Sequence, residues 1–134
     1  ADLKLSNLSN CDLSDAFMRG ANLLFTKLTD ADLTNTNLKG ACLDYVKVSR
    51  AKFINSCLVG ASLNEIDAMG TYFTGAFLVD ANLGGSDLTA ASLKNADLTG
   101  ACLTDCNLKA ADLTGTCLTD AELTGVNLKD VKGL

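Results

Sequence analysis

The sequence predicts an all-β fold, a parallel β-helix in which five-residue repeats wind into a solenoid with four repeats per coil. Three observations support this prediction. Leucine recurs at every fifth position, similar residues recur every twenty positions, and large and small core candidates compensate one another in size. Because internal repeats fix the architecture, residues 1-134 are expected to form one domain of about 6.7 coils.

The five-residue period is clearest from Ala76 to Leu128, where every fifth residue is Leu. With the central apolar residue called i, 21 of the 26 i positions from Leu3 to Leu128 are Leu. Five residues match neither the helical nor the strand period. Positions i−2 and i are apolar or small and the others mostly polar, with Gly concentrated at i+2. Each repeat therefore predicts a short extended face followed by a corner.

The i−2 position indicates how many repeats complete one coil. Ala occupies this position at every twentieth residue from Ala1 to Ala121, whereas the neighbouring series from Ser6 to Val126 contains no Ala. Residues that stack in successive coils must be alike in size because protein interiors are closely packed. The sorting therefore predicts four repeats per coil.

The residues at position i are predicted to fill the core. The clearest core candidates are Leu83, Leu88, Leu93, Leu98, Leu103, Phe53 and Phe73. Phe53 and Phe73 lie twenty residues apart, so the coil would stack them. Ile66, the largest i−2 residue, precedes the smallest i residue, Ala68, as a core of constant volume requires. No charged residue occupies either column, although 20% of the chain is charged.

The A-D-L-x-x and A-N-L-x-x units that repeat along the whole chain resemble the pentapeptide repeat proteins. The resemblance implies a right-handed quadrilateral β-helix with i−2 and i directed inwards. The chain is most similar to the cyanobacterial and chloroplast-lumen members, most of which have no established biochemical activity. The repeats between Asp44 and Thr74 depart from the consensus but keep the period, so the same fold is expected there.

The residues that enzymes need are mostly missing. The chain has no His, which excludes Ser-His and Cys-His pairs and ordinary histidine metal sites. Phosphate-binding and metalloprotease motifs are also absent. The Asp and Asn residues at 13 of 27 i−1 positions are expected to bond to turn backbone. We therefore expect no catalytic residue, no metal, no cofactor, no small-molecule substrate and no enzyme activity.

The six cysteines are predicted to be free thiols. Cys11 and Cys106 lie in the inward i−2 column, where Cys acts as a small hydrophobe. The other four occupy i−1 and form two same-face pairs, Cys42 with Cys102 and Cys57 with Cys117. The members of each pair are three coils apart, about 14 Å at the spacing of hydrogen-bonded strands, which is too far for a disulfide.

The charge pattern restricts the class of partner. The net charge is −5, from 16 acidic and 11 basic residues, and no basic face emerges, so direct nucleic-acid binding is not expected. Apolar runs are too short for membrane insertion. The family resemblance implies a soluble protein of the cyanobacterial cytoplasm or periplasm, or of the chloroplast thylakoid lumen.

The function predicted from these observations is a non-enzymatic structural or protein-interaction module. The resemblance also implies an alternative, because some members of the family are acidic rods that mimic DNA and inhibit or protect gyrase and other topoisomerases. The i−1 series from Asp12 to Lys132 mixes acidic, basic and neutral residues. That mixture argues against a continuous phosphate-like stripe.

The candidate partner-binding patch consists of outward apolar residues in the middle coils. They are Ile54, Cys57, Val59, Tyr72, Phe77 and Val79, which four repeats per coil would bring to one edge. A smaller group, Leu5, Leu24, Phe25 and Tyr45, would lie on the following face. A contiguous apolar patch commonly marks a contact, so we expect a protein partner or a second copy of the chain. The alternative is local packing of these side chains against one another.

The repeat pattern also reaches both ends of the chain. Solenoids usually need polar capping segments. We therefore expect either that flanking caps were removed or that the open end coils pair with another molecule.

Overall fold

The computed structural model describes residues 1–134, and bridges between coils define its architecture. Each repeat contributes one bridge residue, at position i−1, and then turns at i+1 and i+2. Every bridge is parallel and joins residues twenty positions apart, from Asp2 with Asn22 to Asp112 with Lys132. Four repeats therefore separate each bridge residue from its partner.

The chain contains no helix and no extended strand, only isolated bridges. The faces are thus shorter than the extended segments that the sequence predicts. The physical reason is the corner after each i residue, which changes the chain direction before a second bridge can form. Only the residue at i−1 therefore forms a bridge with each neighbouring coil.

Backbone hydrogen bonds run along the axis in a constant pattern. The N–H of Leu3 donates to the carbonyl of Asn22 at 2.8 Å, and the N–H of Leu5 donates to Leu24 at 3.0 Å. The N–H of Asn22 donates back to the preceding coil, and the N–H of Ser6 closes the corner on Leu3 at 3.1 Å. Three of the five N–H groups in a repeat thus bond to another coil. Proline, which is absent from the chain, would remove such a donor.

The corner residue at i+2 always adopts a left-handed conformation. Every i+2 residue from Leu5 to Asp130 has φ between 55° and 73°. Gly reaches this region freely, and Asn and Asp tolerate it better than other residues. This requirement explains why these three residue types dominate the corners. Phe25 and Tyr45 are bulky exceptions, and their rings stack with centroids 5.0 Å apart.

The core is a file of inward side chains from positions i−2 and i. It contains 34 buried residues in one cluster. All seven predicted core residues are buried, namely Leu83, Leu88, Leu93, Leu98, Leu103, Phe53 and Phe73. The rings of Phe53 and Phe73 stack with centroids 5.1 Å apart and planes 18° apart. The buried file runs from Met18 to Leu113, and each coil depends on its neighbours for burial.

Large and small core side chains offset one another in volume within single coils. The repeat before buried Phe53 contributes Val48, and the repeat before buried Phe73 contributes Ala68. Both residues are smaller than the Leu found at the same positions in later coils. A phenyl ring on one side of the coil is therefore offset by a smaller side chain on the adjoining side.

The bridges sort the outer side chains into four faces. Faces 1, 2, 3 and 4 contain the repeats that begin at residues 1, 6, 11 and 16, respectively, and at every twentieth residue thereafter. Positions i−1 and i+1 lie on a face, and position i+2 lies at the corner that leads to the next face. Any site on this protein is built from these three positions.

Candidate functional site

The outer faces carry the candidate site, since the structure has no pocket. It also has no group of three or more His, Cys, Asp or Glu residues placed to hold a metal ion. The side chains available for recognition are those at i−1, i+1 and i+2. Most of the acidic ones are already engaged in the fold.

The Asp and Asn residues at i−1 stabilise the corners. Twelve of the thirteen accept a hydrogen bond from the backbone N–H two residues later. Asp97 Oδ1, for example, accepts from the Thr99 N–H at 3.0 Å and from its hydroxyl at 2.6 Å. The remaining residue, Asp67, accepts from the Ser49 hydroxyl at 3.1 Å. The predicted structural role of these residues is confirmed.

The same hydrogen bonds favour the ionised form of several carboxyl groups. The hydroxyl of Thr99, and then its backbone N–H, lower the pKa of Asp97 below the ordinary value of 3.8. Ser or Thr two residues later lowers the pKa in the same way at three further positions, Asp12, Asp32 and Asp112. These acids therefore stay charged as structural acceptors down to a lower pH than a free carboxyl group would.

We expect the free energy of unfolding to decrease below about pH 4. The folded pKa of these four groups lies below the unfolded value of 3.8, so their stabilising contribution is present above that value. It is lost as the pH falls through the lower folded values. Urea titrations at neutral and at acidic pH measure the loss.

The matched control replaces the four acids with Asn, as Asp12→Asn, Asp32→Asn, Asp97→Asn and Asp112→Asn. The amide oxygen can still accept from the backbone N–H, but the group no longer titrates. This variant should lose less stability on acidification than the wild type. Equal losses in both proteins would mean that other groups control the acid sensitivity.

One exposed ion pair lies on the corner between faces 2 and 3. Arg50 donates from Nε and Nη2 to the two carboxylate oxygens of Asp30 at 2.9 and 3.1 Å. This contact lowers the pKa of Asp30 and raises that of Arg50. The guanidinium is thus paired within the chain. Of the three bases that lie close in sequence, Lys47, Arg50 and Lys52, only the two lysines form no ion pair.

All six cysteines are free, as predicted. Cys106 is buried, its thiol donates to the Leu83 carbonyl at 2.9 Å, and burial raises its pKa to about 11. Cys117 is exposed on face 4. Hydrogen bonds with the Thr119 and Thr99 hydroxyls lower its pKa. The two thiols therefore differ strongly in reactivity, because the thiolate is the reactive form.

The predicted partner-binding patch lies on two adjoining faces. Ile54 and Tyr72 are on face 3, whereas Cys57, Val59, Phe77 and Val79 are on face 4 in two successive coils. A parallel bridge joins Cys57 directly to Phe77. Tyr72 is 45% exposed and Phe77 is 51% exposed, while the other four are partly covered. The patch therefore presents two large apolar side chains to solvent.

The two apolar groups on the surface differ in how their rings pack. In the smaller group on face 1, Phe25 and Tyr45 stack with their planes 14° apart. Tyr72 and Phe77 take part in no stacked pair. Phe25 and Tyr45 remain 48% and 51% exposed, so stacking fixes the orientation of these rings without covering them. The two rings in the partner-binding patch have no such stacked neighbour.

Sequence reasoning missed Phe17, the most exposed of the large apolar side chains at 91%. Phe17 occupies i−1 on face 4, and bridges connect it through Asn37 to Cys57 and Phe77. The register alone could have found it, because Phe17 lies 60 residues before Phe77 and hence three coils away. Face 4 therefore carries exposed apolar side chains in its first coil as well as in its middle coils.

The comparisons with known proteins place the chain among repeat proteins of the same period. The family model described as "Pentapeptide repeats" matches residues 6–44, 31–67, 49–85, 69–105 and 91–130. No curated protein matches the sequence. A helix of the length and apolarity required to span a bilayer is absent.

Several solved structures resemble the chain. Trypsin-treated QnrB1, a plasmid-mediated fluoroquinolone resistance protein, is 24% identical over 98% of this chain and 81% of its own, with a TM-score of 0.76. HetL, involved in heterocyst differentiation regulation in the cyanobacterium Nostoc, is 25% identical over 97% and 86%, with a TM-score of 0.34. A protein from the thylakoid lumen of Arabidopsis thaliana is 28% identical over 80% and 71%, with a TM-score of 0.37. The similarity to QnrB1 shows a shared fold.

Proposed function

The chain belongs to the pentapeptide repeat family, and we propose that it is a non-enzymatic interaction module whose rod presents an apolar patch to a protein partner. Members of the family form right-handed quadrilateral β-helices. About 6.7 coils at roughly 4.8 Å each give a rod on the order of 32 Å long. Such a rod holds surface side chains at fixed spacing along its axis.

The observation that carries the proposal is that the fold does not require apolar side chains at the patch positions. Tyr72 and Phe77 are exposed at i−1. The same columns hold Ser92 and Asp97 in the next coil, with the same bridges. Polar residues therefore satisfy the backbone geometry at these positions. Large exposed apolar groups that the fold does not need are typical of contact surfaces.

The double substitution Tyr72→Ser and Phe77→Ser tests this function. We expect the melting temperature to stay nearly unchanged, because surface substitutions away from the core usually alter stability by less than about 0.5 kcal/mol. Self-association of the chain should be lost, because the two largest exposed apolar groups of the patch are removed. Calorimetry and sedimentation velocity measure the two effects.

The control substitution is Phe25→Ser with Tyr45→Ser, which removes the stacked pair on face 1. Those rings stack on one another, so their loss should remove a ring contact, lower the melting temperature slightly and leave association intact. If the variant of Tyr72 and Phe77 instead melted at a much lower temperature and still associated, local packing would be the role of the patch.

A second candidate function is DNA mimicry, and the acidity of face 1 favours it. Face 1 carries five acidic residues and one basic residue, Asp2, Asp44, Glu65, Asp105, Glu122 and Lys4. Two neutral repeats, residues 21–25 and 81–85, interrupt this series. We therefore expect no inhibition of gyrase supercoiling. Inhibition at stoichiometric protein that weakens as salt rises would establish the mimic instead.

A further inference from the structure

Face 4 has a charge distribution that runs in one direction along the rod. Its first two repeats carry Arg19 and Lys39 and no acid. Its last three repeats carry Asp80, Asp97 and Asp120 and no base. The apolar side chains of its third and fourth repeats lie between the two charged ends, and they are Cys57, Val59, Phe77 and Val79. The face is thus basic, then apolar, then acidic.

Building on the interaction role proposed above, we propose that the partner is a second copy of this chain, packed through face 4 with the two rods antiparallel. A two-fold axis lies between the faces, perpendicular to the rods, and passes between the third and fourth repeats. It brings the first repeat onto the partner's sixth, the second onto the fifth and the third onto the fourth. Such an interface is self-complementary, as in most homodimers.

The apolar residues meet at the centre of this arrangement. Within the plane of the face, this rotation reverses the direction along the rod but not the direction across it. Position i−1 of one copy therefore lies opposite i−1 of the other, and i+1 lies opposite i+1. Cys57 then lies opposite the partner's Phe77, and Val59 lies opposite the partner's Val79. Each of these contacts occurs twice. The partner covers the apolar groups of face 4, including the half-exposed Phe77 ring.

The charged residues meet at both ends of the same interface. Lys39 lies opposite the partner's Thr99, beside the partner's Asp97. Arg19 lies opposite the partner's Thr119, beside the partner's Asp120. Each base therefore lies close to an acid of the partner, and the exposed Phe17 ring lies opposite the partner's Cys117. In a parallel pair, bases would face bases and acids would face acids, which is unfavourable.

The size and edge of face 4 also suit a second rod. Four faces and two ends share 6103 Å² of accessible surface, so one face carries on the order of 1,000 Å², compared with about 800 Å² per partner in a standard interface. Four of its six corner residues are glycines, Gly20, Gly40, Gly60 and Gly100. Open space surrounds the Cβ position at the first three of these, so nothing projects from that part of the edge.

Face 2 shows that this charge arrangement is not a general property of the rod. Lys27 and Lys47 near its beginning are matched by Lys109 and Lys129 near its end. An antiparallel pair through face 2 would bring Lys27 of one copy beside Lys109 of the other, so like charges would lie close together at two places. Face 2 therefore supplies matched control positions.

Charge reversal with rescue by mixing tests the pairing. Lys39→Glu and Thr99→Lys should each weaken the wild-type dimer by about ten-fold or more, because each change occurs twice and places like charges together. An equimolar mixture of the two variants should form a heterodimer, since the introduced glutamate lies opposite the introduced lysine. Sedimentation velocity of the full chain, over a range of concentrations and salt, measures all three.

The matched controls for this experiment are Lys109→Glu and Thr89→Lys on face 2. They occupy the same i+1 position and change the charge in the same way. The Thr89 hydroxyl also donates to Asp87 at 2.6 Å, just as the Thr99 hydroxyl donates to Asp97. The dimer should be unaffected by either control.

A disulfide trap tests the orientation independently. Phe17→Cys places a thiol opposite the exposed Cys117 of the partner subunit in the antiparallel pair. Within one chain the two positions are five coils apart, about 24 Å, so they cannot join intramolecularly. Diamide should oxidise the two thiols to a covalent dimer linked between positions 17 and 117. Asn37→Cys, one coil closer to the centre of the face and bridged to Cys57 of its own chain, should give no link to position 117.

Two results would overturn the pairing. One is a wild-type chain that remains monomeric at every concentration, and the other is a dimer that Lys39→Glu and Thr99→Lys leave unchanged. The proposed function is judged separately by the melting temperature of the Tyr72 and Phe77 variant. An unchanged melting temperature would leave the interaction role standing without the self-pairing, whereas a large decrease would remove the interaction role as well.

Discussion

Leu83→Lys is expected to abolish the folded state. Leu83 is completely buried at position i, in the narrow core that each coil encloses. A lysine there would place an ammonium group among apolar side chains with no partner, and the penalty is several kcal/mol even after relaxation. The total stability of a domain is only about 5–15 kcal/mol. Circular dichroism and sedimentation at neutral pH should show an unfolded or aggregated chain.

Two further variants separate the effect of charge from the effects of position and size. Thr89→Lys adds the same charge on the outer surface and should leave the spectrum and melting temperature nearly unchanged. Leu83→Ala should remain folded with a loss of about 2–5 kcal/mol, as expected for a cavity in a core. If Leu83→Lys had the wild-type spectrum and melting temperature, the inward assignment of position i would be wrong.

The core columns could be predicted because burial restricts residue type at every repeat. Positions such as Leu83 and Ala81 lie in a narrow file, where a charge or a side chain of the wrong size is costly. The sequence therefore shows the five-residue period directly. The sorting of Ala and non-Ala residues at i−2 also predicts partners twenty residues apart, the spacing that the bridges have.

The isolated bridges could not be predicted in the same way. Each repeat alternates apolar and polar residues over only three positions. This pattern is the same whether one of the three residues forms a bridge with the next coil or several do. The left-handed backbone conformation of Phe25 and Tyr45 could not be predicted from residue type either, since bulky residues rarely adopt positive φ. Only the position of these residues at i+2 indicates their conformation.

The candidate site was partly predictable for a related reason. The register places Tyr72 and Phe77 outside, but outward positions tolerate many residue types, so an apolar residue there has no single meaning. The structure supplies the missing distinction. The rings of Phe25 and Tyr45 pack on each other, whereas Phe77 does not stack.

Phe73→Ala is expected to destabilise the protein by about 3–5 kcal/mol. The Phe73 ring is completely buried and stacks on Phe53 with centroids 5.1 Å apart. Its removal leaves a cavity and deletes a ring contact that contributes about 0.5–1.5 kcal/mol beyond burial. Phe77→Ala in the same coil removes an identical ring from the outer surface and should cost less than about 1 kcal/mol. Urea denaturation at a concentration where the chain is monomeric measures both.

Ala68→Leu tests whether the small residue in this coil compensates for the ring. In the wild type the added isopropyl group should overpack the core, at a cost of about 1–3 kcal/mol. In the Phe73→Ala background the same side chain can enter the vacated space, so Ala68→Leu should stabilise that variant. The effect of one substitution would then reverse sign with its neighbour, as residues that share a cavity can do. Additive losses in the double variant would mean that Ala68 and Phe73 do not share core volume.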